Sequence, residues 1–256
     1  MATAAILIVG DEILDGHTQD TNSHYLAGRL RARGILLRRI VTVGDDLDGI
    51  ESALRILLPE KFNHVFVCGG IGPTPDDRTY EAVAMAVGAP LVVTKEDEAW
   101  MRARVAANAY GEGLLEDAER AEAMWRMVRR PEGSKVLTNP VGAALGSAIH
   151  HGPTIVYVLP GVPRELQAMM EQTVEPTLAP PVKGTAIAEL EIRGEEARLW
   201  PTLREVEARF PQVRLGSYPQ DDRGRILLRV QGDSASVEAA VARLQSALPM
   251  PARRTR

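Results

Sequence analysis

The strongest constraint on the fold is an alternation of short apolar runs with helix-like segments over the amino-terminal two thirds of the chain. Continuous apolar runs that end in glycine or a polar loop are typical of strands buried on both faces of a sheet. Strands that alternate with helices form a mainly parallel sheet with helices on both sides. The sequence therefore predicts a three-layer α/β/α domain with strands at residues 4–10, 35–44, 64–70 and 154–161 and helices at residues 21–34, 46–60, 76–88 and 162–174.

A proline-rich stretch, "EPTLAPPVKG" at residues 175–184, marks a boundary after this domain. Beyond it the pattern predicts a strand, a helix, a hairpin that turns at Asp222–Gly224, and a closing helix. That succession is a smaller α+β unit. We therefore expect two domains, residues 1–176 and 182–248, and a disordered tail at residues 249–256.

Composition excludes several classes of protein. The 256 residues carry a net charge of −4, whereas a general nucleic-acid binder needs a basic surface. No apolar run reaches the roughly 18 residues of a membrane span, and the amino terminus lacks a basic leader. The single cysteine, Cys68, ends an apolar run and is expected to be a small buried core residue. We expect a cytoplasmic protein that binds neither membrane nor nucleic acid.

The stretch "CGGIGPTPDD" at residues 68–77 follows the third predicted strand and precedes a predicted helix. Glycines in this position let the backbone turn sharply and bring N–H groups close to an anion. The stretch is not a Walker loop, because no Gly-Lys-Ser/Thr follows, and it lacks the third glycine of the dinucleotide fingerprint. It predicts a phosphate-binding loop.

Polar loops also follow the first two predicted strands. The carboxyl ends of parallel strands share one edge of a sheet, where ligands bind. Carboxylates beside a phosphate are unfavourable unless a cation such as Mg²⁺ neutralises them. We therefore expect a site at this edge that gathers Glu12, Asp20, Asn22, Asp45, Asp46, Asp76 and Asp77.

Helix capping is the alternative explanation for three of these carboxylates. Aspartate at a helix start accepts backbone N–H bonds and favours the helix dipole, and Asp20, Asp46 and Asp76 all precede predicted helices. A helix start needs only one capping residue, so one of the two aspartates at residues 76–77 needs another role. We expect Asp76 to cap a helix that begins at Asp77, and Asp77 to carry chemistry.

Five motifs occur in order: "VGDEILDGHTQDTN", "VGDD", "CGGIGPTPDD", "NPVG" and "LPGVPREL". Together they resemble the competence-damage-inducible protein A (CinA) family over residues 4–174. The resemblance implies a first domain with the molybdopterin-binding fold of the MoaB/Mog group and a KH-type domain at residues 182–248. Full-length members also carry a nicotinamide mononucleotide deamidase domain, which this chain is expected to lack.

The resemblance also implies an activity, the hydrolysis of ADP-ribose to AMP and ribose 5-phosphate with a divalent metal and potassium. Asp77 and Asp45 match the catalytic carboxylates. These two residues and Glu12 are the implied ligands of Mg²⁺, Mn²⁺ or Co²⁺, with K⁺ as a second cation. The implied substrate-binding residues are Gly10, Glu12, Asn22, Gly69, Gly70, Gly72, Pro73, Thr74, Asn139, Gly142, Gly161 and Pro163.

This chain departs from the family pattern at two places that bear on catalysis. Cys68 stands where threonine is usual, which removes a hydroxyl from the start of the glycine-rich loop. Ala144–Leu145 stands where alanine–proline is typical. Both changes affect catalytic efficiency more than ligand binding.

Three functions stay open at this point. The first is metal-dependent hydrolysis of the pyrophosphate in ADP-ribose or a related nucleoside diphosphate compound. The second is molybdopterin binding or adenylylation, and the third is nucleotide binding without catalysis. In each case the partner is a small nucleotide or pterin. Residues 182–248 lack the Gly-x-x-Gly loop of RNA-binding KH modules, so we expect this unit to support a homodimer.

Overall fold

The computed structural model describes residues 2–107, 113–178, 185–220, 224–248 and 253–255. The chain divides into two compact units, Met1–Pro181 and Val182–Arg256. This division lies close to the boundary that the proline-rich stretch predicts. Among the described residues, no helix combines the length and the apolar character needed to cross a membrane.

The first unit alternates strands and helices as the apolar runs predict. Its strands are β1 (Thr3–Val9), β2 (Leu36–Val43), β3 (His64–Cys68), β4 (Leu91–Val92), β5 (Arg130–Pro131), β6 (Lys135–Leu137), β7 (Gly146–His151) and β8 (Thr154–Leu159). Its helices are α1 (Asp11–Leu14), α2 (Asn22–Ala32), α3 (Leu47–Leu57), α4 (Thr79–Val87), α5 (Lys95–Ala107), α6 (Ala118–Arg126) and α7 (Pro163–Met169).

The central sheet has the strand order β2-β1-β3-β8-β7-β6. Its first four strands are mutually parallel, whereas β7 runs antiparallel to β8 and β6 antiparallel to β7. A short turn joins β7 to β8, and a tight connection of this kind only permits antiparallel pairing. The predicted, mainly parallel sheet is therefore confirmed, with an antiparallel pair added at one side.

Strand β1 is apolar from Ala4 to Val9 because helices cover both faces of the sheet. Ala5, Leu7 and Val9 pack in a cluster with residues of α3 and α4. The alternate residues of β1 pack in a second cluster with Leu26 of α2 and Leu166 of α7. A strand in the middle of three layers has no solvent face, so the α/β/α architecture is confirmed.

The second unit contains β9 (Thr185–Arg193), α8 (Glu196–Arg209), β10 (Arg214–Pro219), β11 (Arg225–Asp233), α9 (Ser234–Ala247) and β12 (Arg253–Thr255). Its antiparallel sheet has the order β10-β11-β9-β12. Alternate residues of β9 and β11 pack against α8 and α9 in one apolar cluster. The predicted hairpin of β10 and β11 is confirmed, although Asp222 of its predicted turn lies outside the described residues.

The expectation of a disordered tail is wrong for residues 253–255. These residues form β12, which pairs with β9 in antiparallel register from Arg253 opposite Glu191 to Thr255 opposite Glu189. A free strand edge presents unpaired N–H and C=O groups, and a following segment can satisfy them. Composition alone does not reveal such long-range pairing. The other tail residues, 249–252 and 256, lie outside the described residues.

Candidate ligand-binding site

The carboxyl ends of β2, β1, β3 and β8 lie side by side at one edge of the sheet. We call it the carboxyl edge, and each of these strands is followed there by a loop with predicted site residues. The loop between β6 and β7 reaches the same edge, because β7 begins opposite the end of β8, with Ser147 paired to Val158. Topology therefore brings all the predicted site loops to one place.

Two glycines in the left-handed region follow β3 directly. Gly69 has a φ of 107° and Gly70 a φ of 65°, which glycine adopts without steric cost. A β-carbon on Gly69 would lie 2.2 Å from the carbonyl oxygen of Val9. The backbone of residues 69–74, here called the glycine loop, can therefore pass close to the end of β1 only because residue 69 has no side chain.

Thr79, the first residue of α4, fixes the carbonyl groups of both glycines. Its hydroxyl donates to the Gly69 oxygen at 2.7 Å, and its N–H donates to the Gly70 oxygen at 3.0 Å. Thr79 is wholly buried, so water cannot replace these bonds. The start of the helix and the conformation of the glycine loop are thus set together.

The N–H groups of Gly70, Ile71 and Gly72 have no hydrogen-bond acceptor in the described part of the chain. The carbonyls of Gly69 and Gly70 are already bound to Thr79. Consecutive backbone N–H groups without partners form an anion-binding concavity, and here they precede the positive end of α4. This arrangement fits the predicted phosphate-binding loop.

Asp77 closes a tight turn behind the glycine loop. Its Oδ2 accepts the N–H of Thr74 at 2.9 Å and the hydroxyl of Thr74 at 2.6 Å. A β-carbon on Gly72 would lie 2.6 Å from the same oxygen, so the carboxylate packs directly against the loop. Pro73 is exposed within the loop. The catalytic role of Asp77 stays a prediction.

The prediction that Asp76 caps the following helix is wrong. Helix α4 begins at Thr79 rather than at Asp77, and its N-cap position is occupied by Arg78, which makes no side-chain capping bond. The bonds from Thr79 to the glycine carbonyls hold the helix start two residues later than the spacing suggests. Asp76 is exposed in the turn between loop and helix.

Capping explains two other carboxylates at this edge. Asp46 accepts the N–H of Gly49 at 2.7 Å, at the start of α3. Asp20 accepts the N–H of Ser23 at 2.9 Å, in the first turn of α2. Both bonds satisfy a backbone donor that the helix itself leaves unpaired.

Asp45 lies beside the start of α1 rather than at a helix cap. Its Oδ2 accepts the N–H of Asp11 at 2.9 Å, and a β-carbon on Gly44 would lie 2.3 Å from Oδ1 of Asp11. Burial raises the pKa of the Asp45 carboxyl, the N–H of Asp11 opposes this, and the charges of Asp11, Glu12 and Asp76 raise the pKa further. A carboxyl whose pKa is perturbed in this way, at a ligand edge, is a candidate functional group.

Glu12 and Gly10 lie at the end of β1. The N–H of Gly10 donates to the carbonyl oxygen of Val43 at 3.1 Å and so joins the ends of β1 and β2. A β-carbon on Gly10 would lie 2.5 Å from the Glu12 carboxylate. The absence of a side chain at residue 10 therefore lets Glu12 fold back over the strand end.

A cleft of about 240 Å³ opens next to these residues. Its apolar floor comes from the ends of β1 and β3, and its polar rim from the loop that leads into α2. Gly161 forms part of the opposite wall, and a β-carbon on it would lie 3.2 Å from the Cα of Gly69. The lining residues are Ile8, Val9, Glu12, Ile13, Thr18, Gln19, Asp20, Thr21, Asn22, Cys68, Gly161, Val162 and Pro163.

Asn22 and Cys68 contribute differently to this cleft. The side-chain amide of Asn22 donates to the Gly161 carbonyl at 2.7 Å, which ties the start of α2 to the loop before α7. Its Oδ1 is enclosed without a hydrogen-bond partner among the described residues. Cys68 is buried, as predicted, and burial raises the pKa of its thiol, so the thiol stays neutral.

The buried side chain of Asn139 holds the loop between β6 and β7 in place. Asn139 is wholly buried; its amide nitrogen donates to Oε2 of Glu165 at 2.6 Å, and its Oδ1 accepts the N–H of Gly142 at 2.8 Å. A β-carbon on Gly142 would lie 2.2 Å from the same Glu165 oxygen. In this structure Asn139 and Gly142 organise the loop, and ligand contact by either residue stays a prediction.

The predicted metal ligands Asp45, Asp77 and Glu12 all lie at the carboxyl edge. Within the described parts of the chain, no group of three or more histidine, cysteine, aspartate or glutamate side chains is arranged to hold a metal ion. Asp77 is engaged by Thr74 and Asp45 by Asp11. Asp45, Asp77 and Glu12 thus form no three-carboxylate group in this structure, and their role as metal ligands stays a prediction.

Sequence reasoning missed Thr79, Asp11 and Glu165. Nothing local marks Thr79, because its bond to Gly69 joins residues that meet only when the loop folds back. Asp11 and Glu165 lie inside motifs quoted above. The rule that polar residues after parallel strands share one edge was sufficient to find Asp11, but the Asn139–Glu165 bond needs the three-dimensional structure.

Family models match both units of the chain. The model described as "Probable molybdopterin binding domain" matches residues 5–180. The model described as "FAD synthase, middle domain" matches residues 185–253. The MoaB/Mog-type fold expected for the first unit is thereby confirmed, whereas the second unit is of the FAD synthase middle type in place of the expected KH type.

One relative is the protein TK1472 of Thermococcus kodakarensis, which is 39% identical over 219 residues. The matched residues make up 85% of this chain and 85% of the relative. A CinA-like protein of Citrifermentans bemidjiense is 40% identical over 174 residues, which make up 68% of this chain and 40% of the relative.

Among solved structures, the protein CinA from Thermoplasma acidophilum, described as of unknown function, is 34% identical. The similarity has a TM-score of 0.58 and covers 66% of this chain and 94% of that one. The chain therefore belongs to the family of the probable molybdopterin binding domain, among its CinA-like members.

Proposed function

We propose that the first unit binds a phosphorylated pterin of the molybdopterin class, with the phosphate on the glycine loop and the ring in the adjoining cleft. The observation that carries the proposal is the run of three N–H groups, Gly70 to Gly72, without a protein acceptor among the described residues. The family to which the first unit belongs, described as a probable molybdopterin binding domain, supports the same ligand.

The cleft has the character of a small-molecule site. Its volume of about 240 Å³ combines an apolar floor with convergent polar groups on one rim, as ligand pockets commonly do. The contact between Gly161 and Gly69 brings the cleft wall against the glycine loop. The proposal places the ring of the ligand beside Cys68 and its phosphate on the neighbouring glycine loop.

The phosphate contact is tested by the amide resonances of ¹⁵N-labelled protein during titration with inorganic pyrophosphate. The amides of Gly70, Ile71 and Gly72 are expected to shift with one common affinity. The Gly49 amide is the matched control, since it lies at the same edge but already donates to Asp46. Equal shifts at Gly49, or none in the glycine loop, would contradict the proposal.

Hydrolysis of ADP-ribose, which the resemblance places first, becomes the second candidate. The observation in its favour is Asp45, a carboxyl at the ligand edge that lies beside Asp11 and whose pKa is raised by burial. Against that, the family comparisons name molybdopterin binding, and the three implied metal ligands do not form a set. Release of AMP from ADP-ribose in the presence of Mg²⁺, Mn²⁺ or Co²⁺, with and without K⁺, tests it directly.

A further inference from the structure

A pair of stacked side chains from α5 holds the loop between β6 and β7. The indole N–H of Trp100 donates to the carbonyl oxygen of Ala143 at 3.0 Å. The guanidinium of Arg104 donates to the carbonyl oxygen of Asn139. The guanidinium carbon also lies 4.5 Å from the centroid of the Trp100 ring, a cation–π distance. Helix α5 therefore forms a hydrogen bond to each end of the segment at residues 139–143.

The loop between β6 and β7 is also bonded to α7, the helix whose first turn lines the cleft. Asn139 donates its side-chain amide to Glu165 at 2.6 Å, and Glu165 lies in the first turn of α7. Pro163, at the start of the same turn, lines the cleft. The loop packs so closely against α7 that a β-carbon on Gly142 would lie 2.2 Å from the Glu165 carboxylate. A displacement of the loop therefore has to move Glu165 or break its bond.

We infer that Trp100 and Arg104 are positioning residues for the ligand site, which act through Asn139 and Glu165 on the cleft wall at Pro163. The inference rests on the proposed function, because it concerns the affinity of that same cleft. Neither residue lines the cleft, so neither acts by touching the ligand. Substitutions along such a connected set of bonds can change ligand affinity without contact with the ligand.

The chain offers a matched control on the same helix. Arg102 also stacks on a tryptophan, with its guanidinium carbon 5.4 Å from the ring centroid of Trp125, but it makes no hydrogen bond to the loop among the described residues. Arg104→Lys and Arg102→Lys both remove an arginine–tryptophan stack and keep the charge. Arg104→Lys alone also removes the planar donor to Asn139.

The experiment measures molybdopterin affinity of the intact protein under conditions in which each variant is fully folded by circular dichroism. Arg104→Lys is expected to weaken binding about tenfold, and Arg102→Lys to bind like the unmodified protein. Trp100→Phe, which keeps an aromatic ring but loses the N–H donor to Ala143, is expected to weaken binding in the same direction. Equal affinities for the Arg104→Lys and Arg102→Lys variants would overturn the inference.

A second measurement keeps the inference separate from the proposed function. Amide hydrogen exchange at Gly142, whose N–H is bonded to Asn139, is expected to accelerate in Arg104→Lys and not in Arg102→Lys. If the unmodified protein binds no molybdopterin, the proposed function fails and the role in ligand affinity fails with it. If it binds, but neither exchange nor affinity responds to Arg104→Lys, only the positioning role is refuted.

Discussion

The replacement Thr79→Val tests whether the glycine loop is held by the first residue of α4. Valine has nearly the same shape as threonine but cannot donate a hydrogen bond. The Thr79 hydroxyl donates to Gly69 at 2.7 Å in a wholly buried position, so the variant leaves the Gly69 carbonyl unsatisfied. A buried polar group left in that way costs about 1–3 kcal/mol. We expect this loss in the free energy of unfolding, measured by urea titration.

Ligand affinity is the informative part of this test. Without the hydroxyl, the Gly69 carbonyl loses its partner, and the peptide groups that follow it in the glycine loop are held less firmly. We expect the affinity for a phosphorylated ligand to fall by about tenfold, which corresponds to about 1.4 kcal/mol. Isothermal titration with inorganic pyrophosphate measures it, under conditions in which the protein is fully folded.

Thr154→Val provides the control for lost stability. The hydroxyl of Thr154 donates to the Phe62 carbonyl at 2.6 Å, and the residue is only 1% exposed. It lies at the amino end of β8, on the opposite edge of the sheet. We expect a similar loss of stability without a change in affinity. If both variants bind alike, or if Thr79→Val binds normally, the argument that Thr79 shapes the anion site is refuted.

Three further predictions follow from the carboxylates and the second unit. The pKa of Asp45 is raised in the folded state, so ionisation of this carboxyl opposes folding. Asp45→Asn should therefore raise the free energy of unfolding at pH 7. Urea titrations at lower pH should show this gain disappear as the pH falls through the pKa of Asp45 in the folded protein. Asp77→Ala removes the acceptor of two Thr74 bonds and should lower the free energy of unfolding in urea titrations by about 1 kcal/mol, whereas the same change at exposed Asp76 should cost less; equal losses for the two variants would argue against this role of Asp77. The homodimer expected to use residues 182–248 should appear in light scattering at micromolar concentration, and a monomer would contradict it.

Hydrophobic pattern was sufficient to predict the central layers. Strand β1 is apolar at every position from Ala4 to Val9 because α3 and α4 cover one face and α2 and α7 the other. A local rule likewise predicted the cap at Asp46, since its bond to Gly49 spans only three residues. Where one burial pattern or one short-range bond determines the structure, the sequence is informative on its own.

Contacts between distant parts of the chain account for what could not be predicted. The start of α4 depends on the bond from Thr79 to Gly69, and the position of Asn139 depends on Glu165, 26 residues away. The strand at residues 253–255 exists because it pairs with β9. Spacing within a motif carries no information about these partners, so it predicted which loops share the carboxyl edge but none of the bonds between them.

Side-by-side titration of the intact protein with molybdopterin, kept under anoxic conditions, and with ADP-ribose in the presence of Mg²⁺ distinguishes the two candidate functions directly. The proposed function predicts that molybdopterin binds at least about tenfold more tightly, a difference of about 1.4 kcal/mol, and that ADP-ribose is recovered intact. Equal or tighter binding of ADP-ribose, accompanied by release of AMP, would contradict it and restore pyrophosphate hydrolysis as the function of this site.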